Sequence, residues 1–354
     1  MKDILINFAS PALGNNVIFD TDDINGLNDP WKLLKKKLYN LGYNLKTADQ
    51  NELSNCAWIF FIDGDSADLA SQTFKDKLKY NVKKIMSPNA GPARKLYQEC
   101  LREGMTDKLV LFLWEGKSVK PYNYSTQLHE KFSKIFTWND DLVDNKKFFK
   151  LYLPSSMRNL EIAKMPFLHK KLLINISANK LSPFPDELYS ARRKTIKFFD
   201  KNHPNDFDLY GPKWDTPISR LQKKLPCLVK RYGTFRGIAK NKIETLSKYK
   251  FSLCYENLKN ENGYITEKIF DCFIAKTVPI YWGANNIEEY IDSECFIDRR
   301  QFNSDKELAE LLKAMTETEY NAYLANINKY LRSEAYQKFL PENFAATIIN
   351  ALKL

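Results

Sequence analysis

The chain has 354 residues, which is longer than one hydrophobic core usually serves, so two domains are expected. Hydrophobic residues make up 44% and charged residues 27%, a balance that is typical of globular proteins and excludes a disordered chain. The formal net charge is +11, but the lysines are spread along the chain without an RNA-binding motif or zinc-finger spacing. Nucleic acid is therefore not the expected partner. A phosphate-bearing substrate or an anionic membrane surface explains the excess of positive charge equally well.

The six cysteines are far apart and form no C-x-x-C pair, and several lie in apolar runs. This pattern predicts reduced, buried thiols in a cytoplasmic protein. The three histidines are isolated and show no metal-ligand spacing. Residues 1–8 are too few and too polar for a signal peptide, and no stretch approaches the roughly 20 apolar residues of a spanning helix.

The first half of the chain alternates short apolar runs with helical patterns. Strands are predicted over residues 3–9, 43–47, 56–62, 108–114, 136–138 and 148–153, and helices over 30–41 and 92–104. Strands that alternate with helices are typical of a doubly wound parallel sheet. Pro154 and the polar residues after it are interpreted as a linker.

The second half repeats this style without repeating the sequence. Strands are predicted over residues 171–176, 207–210, 251–255 and 278–282. Helices are predicted over 187–199, 241–248, 266–276, 307–315 and 319–331, and the segment 343–354 is also helical. We therefore expect a second α/β domain.

The segment 249–283 is the most informative part of the chain. It is predicted to form a strand, a polar loop, a helix and a second strand, and ligands of open α/β sheets bind beyond the carboxyl ends of such strands. Thr266 is the expected helix cap, and the amides of a helix start attract anions. Lys268 in the first turn opposes the helix dipole unless an anion such as a diphosphate binds there. The alternative is a solvated lysine whose stem covers apolar surface.

Three motifs in this segment resemble the signature of the α-1,3/1,4-fucosyltransferases, glycosyltransferase family 10. They are YKFSLCYEN at 249–257, GYITEK at 263–268 and VPIYWG at 278–283. The resemblance implies a GT-B fold, in which two Rossmann-like domains face each other across a cleft. It also implies an acceptor-side domain over residues 1–158 and a GDP-fucose-binding domain over 159–334, with a helix at about 335–354 packing back onto the first domain.

The resemblance implies the donor-binding residues by motif: Asn257, Tyr264, Glu267 and Lys268. The family also uses an arginine on the helix that opens this half. Arg193 is our choice, although Arg192 is one residue away and stays open. An arginine and a lysine together would neutralise the departing diphosphate.

An inverting transfer needs a general base that takes the proton of the acceptor hydroxyl. The run FLWE at 112–115, with Asn123 downstream, resembles bacterial members of the same family, in which the glutamate is the proposed base. Glu115 follows a predicted apolar strand, and burial would raise its pKa toward a useful range. The alternative is an ordinary carboxylate at a strand end.

The expected function is therefore an inverting transfer of L-fucose from GDP-fucose to a GlcNAc or glucose hydroxyl, with α-1,3 and α-1,4 linkage both open. The acceptor is expected to be an oligosaccharide or glycolipid, met in the cytoplasm, with peripheral contact at the inner membrane face left open. No cofactor and no metal are expected. One alternative is a metal-dependent transferase that uses Asp63 and Asp65, and another is a nucleotide-sugar-binding protein without catalysis.

Overall fold

The computed structural model describes residues 1–21, 26–64, 95–155 and 165–354. The chain divides into two compact units. The first comprises Met1–Asp23, Asn28–Tyr152 and Phe344–Leu354, and the second comprises Ile24–Leu27 and Leu153–Asn343. The domain boundary expected at residues 158 and 159 lies outside the described residues.

Parallel strands alternate with helices along both units. The strands are β1 (Lys2–Phe8), β2 (Tyr43–Thr47), β3 (Cys56–Ile62), β4 (Leu109–Leu113), β5 (Lys134–Thr137), β6 (Phe148–Lys150), β7 (Lys171–Ile176), β8 (Phe207–Tyr210), β9 (Tyr249–Tyr255), β10 (Val278–Trp282) and β11 (Ile297–Asp298). The α-helices are α1 (Val17–Asp20), α2 (Asp29–Asn40), α3 (Leu96–Arg102), α4 (Thr126–His129), α5 (Tyr189–Asn202), α6 (Arg220–Lys224), α7 (Lys242–Ser247), α8 (Glu267–Ile274), α9 (Asp305–Ala314), α10 (Glu317–Tyr330), α11 (Glu334–Gln337) and α12 (Pro341–Leu352).

The sheet of the first unit has the strand order β2-β1-β3-β4-β5-β6, and each neighbouring pair is parallel. Successive side chains of β4 are buried in two different clusters. Val110 and Phe112 belong to one cluster, and Leu109, Leu111 and Leu113 belong to the other. Because alternate residues of a strand point to opposite faces, both faces of this sheet are covered.

The last helix, α12, belongs to the first unit from Phe344 onward. Phe344 and Ile348 lie in the same buried cluster as Val110 and Phe112. The ring of Phe344 packs edge-on against Trp31, with the centroids 5.0 Å apart. The core of the first unit is thus built from two distant parts of the chain.

The sheet of the second unit has the order β11-β10-β9-β7-β8, again with parallel neighbours. The central strand β9 is buried along almost its whole length. Strand β11 was not predicted, because its two residues, Ile297 and Asp298, are too few to show a periodic pattern. The predicted fold class, α/β with two parallel sheets, is confirmed by this topology.

Candidate functional site

A buried glutamate lies where β9 ends in the second unit. Glu256 is 0% exposed, and its carboxylate accepts hydrogen bonds from the backbone N–H and the hydroxyl of Thr266, both at 2.9 Å. Lys268 donates its ammonium to the same carboxylate at 2.8 Å. The strand end and the first turn of α8 are therefore joined through one carboxylate.

The position of Glu256 depends on the neighbouring strand. Its backbone N–H donates to the carbonyl of Trp282 at 2.8 Å, which continues the parallel pairing of β9 with β10. A Cβ at Gly283 would lie 2.6 Å from Cγ of Glu256, so a larger residue would displace the carboxylate. The glycine that ends VPIYWG therefore makes room for the acidic side chain.

Arg192 on α5 reaches the same strand end. It is 4% exposed, and its Nη2 donates to the carbonyls of Tyr255 and Glu256, the latter at 2.9 Å. Burial lowers the pKa of Arg192, and the negative charge of Glu256 opposes that effect. Its buried Nε has no hydrogen-bond partner among the described residues.

Arg193 makes different contacts and is only partly buried. Its guanidinium donates to the carbonyl of Lys180 and to the hydroxyl of Ser190, the latter at 2.9 Å. Since adjacent helical residues lie about 100° apart around the axis, only one of the two arginines can face the strand end. The structure brings Arg192 to Glu256 and places Arg193 against Lys180 and Ser190, and the role of Arg193 in donor binding stays a prediction.

Three cations line one small cavity beside β9. Arg192, Lys242 and Lys268 surround a volume of about 30 Å³, which holds about one water molecule. Lys242 forms an ion pair with Asp271 at 2.5 Å, as Lys268 does with Glu256. Two of the three cations are thus compensated by buried acids.

The electrostatics of α8 follow from these pairs. Burial lowers the pKa of Lys268, but Glu256 and Glu267 outweigh that effect and hold the pKa above its ordinary value. Burial raises the pKa of Glu267, but Lys268 and Lys242 outweigh it and hold that pKa below its usual range. Both side chains of this turn are therefore charged at neutral pH.

Two further predicted residues lie in the loop between β9 and α8. The amide of Asn257 donates to the phenol oxygen of Tyr264 at 3.5 Å, and Tyr264 is almost completely buried. Gly263 beside it has φ +77°, and its N–H donates to the side chain of Asn286 at 2.9 Å. The structure thus brings Asn257 and Tyr264 together on the loop that leads to Lys268.

The predicted base, Glu115, belongs to the first unit. It is half-buried and follows Trp114 at the carboxyl end of β4. Its backbone N–H donates to Oδ1 of Asp63 at 3.2 Å, and its carbonyl accepts the hydroxyl of Tyr124 at 3.0 Å. Because β3 and β4 are parallel neighbours, Asp63 and Glu115 meet at the same edge of the sheet.

The rival metal site was predicted at Asp63 and Asp65, of which Asp65 lies outside the described residues. Burial raises the pKa of Asp63 to about 6, while hydrogen bonds from Trp114, Glu115 and Asn123 lower it. Within residues 1–21, 26–64, 95–155 and 165–354, no group of three or more His, Cys, Asp or Glu side chains is placed to hold a metal ion.

Sequence reasoning missed Glu256 and Lys242 as parts of the site, and it left Arg192 open beside Arg193. A signal existed for Arg192: it falls on the buried stripe of α5 with Tyr189 and Ile196, at helical spacing. Glu256 directly follows strand β9 and lies in the motif YKFSLCYEN. It was missed because its contacts with Thr266 and Lys268 depend on the fold.

Residues 213–344 match the family model described as glycosyltransferase family 10 (fucosyltransferase) C-term. The matched range includes Glu256 and Lys268 on either side of the loop between β9 and α8, whereas Arg192 precedes it.

Curated relatives match over a short part of the chain. An α-(1,3)-fucosyltransferase of Helicobacter pylori is 41% identical over 85 residues, which are 24% of this chain and 17% of that protein. The 4-galactosyl-N-acetylglucosaminide 3-α-L-fucosyltransferase 9 of Mus musculus is 41% identical over 91 residues, which are 25% of each chain. The match thus spans a quarter or less of the length of these relatives.

The fold of this chain is similar to those of two solved transferases. An α1,3-fucosyltransferase has a TM-score of 0.56 and 16% identity, with the match covering 100% of this chain and 90% of that one. The β-glucosyltransferase of T4 phage has a TM-score of 0.51 and 14% identity over 100% of both chains. Both likenesses agree with the predicted GT-B class. Within the second unit, residues 213–344 thus resemble the C-terminal domain of glycosyltransferase family 10.

Proposed function

We propose that this chain is an inverting fucosyltransferase that moves L-fucose from GDP-fucose to a sugar hydroxyl of a glycan. The observation that carries the proposal is the match of residues 213–344 to the family 10 model, together with the cavity that Lys268 of α8 and Arg192 of α5 line beside β9. The matching relatives are named as fucosyltransferases, and a solved α1,3-fucosyltransferase with a TM-score of 0.54 to this chain is a complex with GDP.

The proposed nucleotide site uses Arg192 and Lys268 for the diphosphate. The buried Nε of Arg192 has no acceptor among the described residues, and a phosphate oxygen would supply one. Lys268 carries a positive charge that Glu256 now neutralises, and the incoming diphosphate takes over part of that contact.

The other predicted donor residues have roles that suit their chemistry. Glu267 accepts hydrogen bonds from the ribose diol, as acidic residues do in nucleotide sites. Asn257 and Tyr264, which contact each other, bind the nucleotide sugar from the loop. The roles of these three residues rest on the family motif.

Glu115 is the proposed general base. It takes the proton of the acceptor hydroxyl, whose oxygen forms a bond to C1 of fucose. The bond from C1 to the diphosphate oxygen breaks on the opposite face, so the configuration inverts. The electron pair leaves with GDP, whose charge Arg192 and Lys268 stabilise.

The acceptor is proposed to be an oligosaccharide or glycolipid that presents GlcNAc or glucose. The name of the Mus musculus relative specifies a 3-α-L-linkage to a 4-galactosyl-N-acetylglucosaminide, so N-acetyllactosamine is the first acceptor to test for an α-1,3 product. Among the described residues no helix has the length and apolar character to cross a bilayer. We place the reaction in the cytoplasm at the inner membrane face, since all six cysteines are free and the net charge of +11 favours anionic lipid.

The transfer is proposed to need no metal ion, because an arginine and a lysine are placed to neutralise the leaving group. Activity that persists in excess chelator would support this, and activity restored only by a divalent cation would favour the alternative with Asp63 and Asp65.

A donor and acceptor matrix tests the function directly. Purified full-length chain is incubated with GDP-fucose, GDP-mannose or UDP-glucose and with N-acetyllactosamine or lactose, and the product linkage is determined by NMR. Inverted fucosyl product from GDP-fucose is expected. GDP-fucose binding without transfer to any acceptor would instead indicate a binding protein, and transfer only from another donor would refute the proposed donor.

A further inference from the structure

The residue that follows β3 has an unusual backbone conformation. Asp63 has φ +60°, in the left-handed region that side-chain-bearing residues rarely adopt, and it is 6% exposed. A buried carboxylate and a left-handed backbone each lower folding stability. Both features need a reason beyond packing.

The carboxylate of Asp63 holds the end of the next strand. Its Oδ1 accepts from the backbone N–H groups of Trp114 at 2.8 Å and Glu115 at 3.2 Å. The backbone N–H of Asp63 donates in turn to the carbonyl of Phe112 at 2.9 Å. The peptide groups that precede and carry Glu115 are therefore fixed by one side chain.

Asn123 supports this arrangement from a third segment. It is 1% exposed, and its amide donates to Oδ1 of Asp63 at 2.6 Å. Its own oxygen accepts from the N–H of Gly64 at 2.8 Å, and its carbonyl lies 2.7 Å from Nε2 of His129. The turn after β3, the end of β4 and the residues before α4 thus form one network.

The charged groups that face Asp63 from the described elements are Glu115 and Lys120. Burial raises the pKa of Asp63 to about 6, and the nearby negative charge of Glu115 adds to this rise. Burial lowers the pKa of Lys120, and the negative charge of Asp63 opposes that effect. The carboxylate is therefore ionised at neutral pH, where its acceptor strength is greatest.

We propose that Asp63 is a positioning residue for the base, holding the backbone of Glu115 so that its carboxylate meets the acceptor hydroxyl. The inference rests on the proposed function, in which Glu115 is that base. Three convergent N–H donors on one oxygen are the observation that assigns the role.

The test uses Asp63→Ala and Asp63→Asn in the full chain, with Asp144→Ala as the matched control for Asp63→Ala. Asp144 lies in the same unit, and its Oδ1 also accepts three backbone N–H groups, at 2.8, 2.9 and 2.9 Å, but at an exposed turn between β5 and β6. A general effect of losing a turn-capping carboxylate would therefore appear in the control as well.

Turnover should fall on the order of 100-fold or more in Asp63→Ala, as expected when a catalytic group is displaced by about 1 Å. The KM for GDP-fucose should stay within about two-fold, because the proposed nucleotide site lies in the other unit. Asp63→Asn keeps an acceptor oxygen and should recover most of the turnover, and Asp144→Ala should match the wild type. Wild-type turnover in Asp63→Ala, or an equal loss of GDP affinity, would overturn the proposal.

Amide hydrogen exchange separates this proposal from the fucosyltransferase proposal. In the wild type and in Asp63→Asn the N–H groups of Trp114 and Glu115 should be protected, and in Asp63→Ala they should exchange faster while those of β7 and β9 do not change. Fast exchange of both N–H groups in the wild type would refute the proposal that Asp63 holds them. This result is independent of whether the chain transfers fucose.

Discussion

Single side chains in the second unit show how burial and charge are combined. Glu256 is fully buried and is bound by a hydroxyl, a backbone N–H and a lysine. A buried carboxylate is tolerated only when it is paired and hydrogen-bonded in this way. The same contact also keeps Lys268 in place before any ligand arrives.

Arg192 and Arg193 allow a direct comparison of a buried and a partly buried arginine one residue apart. Replacing Arg192 with Ala should weaken GDP binding and cut turnover by an order of magnitude or more, because the diphosphate loses a charged donor. Arg193→Ala is the matched control and should stay within about two-fold, since Arg193 contacts Lys180 and Ser190 at the surface. Isothermal titration with GDP and initial rates measure both effects. Equal losses in the two variants would contradict this assignment.

The role of Glu115 can be tested by measuring turnover and GDP affinity separately. Glu115→Ala should lower turnover by about 10²–10⁴-fold, which is the usual contribution of a general base. GDP affinity should not change, because Glu115 lies in the first unit and the proposed nucleotide site lies in the second. Glu130→Ala, an exposed glutamate of the first unit, is the control. Parallel loss of turnover and GDP affinity in Glu115→Ala would rule out a role as base.

The regular elements were predicted well where apolar periodicity is strong. Strand β4 is apolar at every position and completely buried, and the predicted range 108–114 contains it. Helix α8 was predicted to be capped by Thr266, and the structure places the cap there. Strand β11 was missed because two residues are too few to show a periodic hydrophobic pattern.

The site was predicted less completely, because its contacts join distant parts of the sequence. The motif located the loop of Asn257 and Tyr264, but the ion pair of Lys268 with Glu256 depends on how β9 and α8 pack. The choice between Arg192 and Arg193 needed the helical phase of α5, which the buried stripe of that helix supplies.

Helix α12 provides a test of packing in the first unit. Phe344 is 1% exposed and lies edge-on to Trp31, so Phe344→Ala should destabilise this unit by about 3–5 kcal/mol. Asn350→Ala on the exposed face of the same helix should change stability by less than about 0.5 kcal/mol. Urea unfolding, monitored by hydrogen exchange of β4 peptides, measures the stability change of both variants. A small effect of Phe344→Ala would show that α12 contributes little to the core.

For the molecule as a whole, the stability of the first unit should depend on pH through Asp63. Its pKa is raised from 3.8 to about 6 in the folded state, so its stabilising contribution is complete below the unfolded pKa and is lost as the pH rises through 6. The shift corresponds to about 3 kcal/mol.

Asp63→Asn removes this titration, so its stability relative to the wild type should rise by up to about 3 kcal/mol between pH 4 and pH 7. Urea unfolding of both proteins at several pH values, read from the first unit, measures the difference. A difference that is independent of pH would show that Asp63 titrates in the folded chain as it does in the unfolded one.

The path of the chain has a consequence for synthesis on the ribosome. The first unit lacks Phe344 and Ile348 of its core until the final helix has emerged, whereas the segment Leu153–Asn343 of the second unit is already available. Domains that fold during translation usually complete in the order in which they are made. Here the earlier-made unit is the one that must wait, so we expect a released chain truncated after residue 343 to contain a folded second unit and an incomplete first unit.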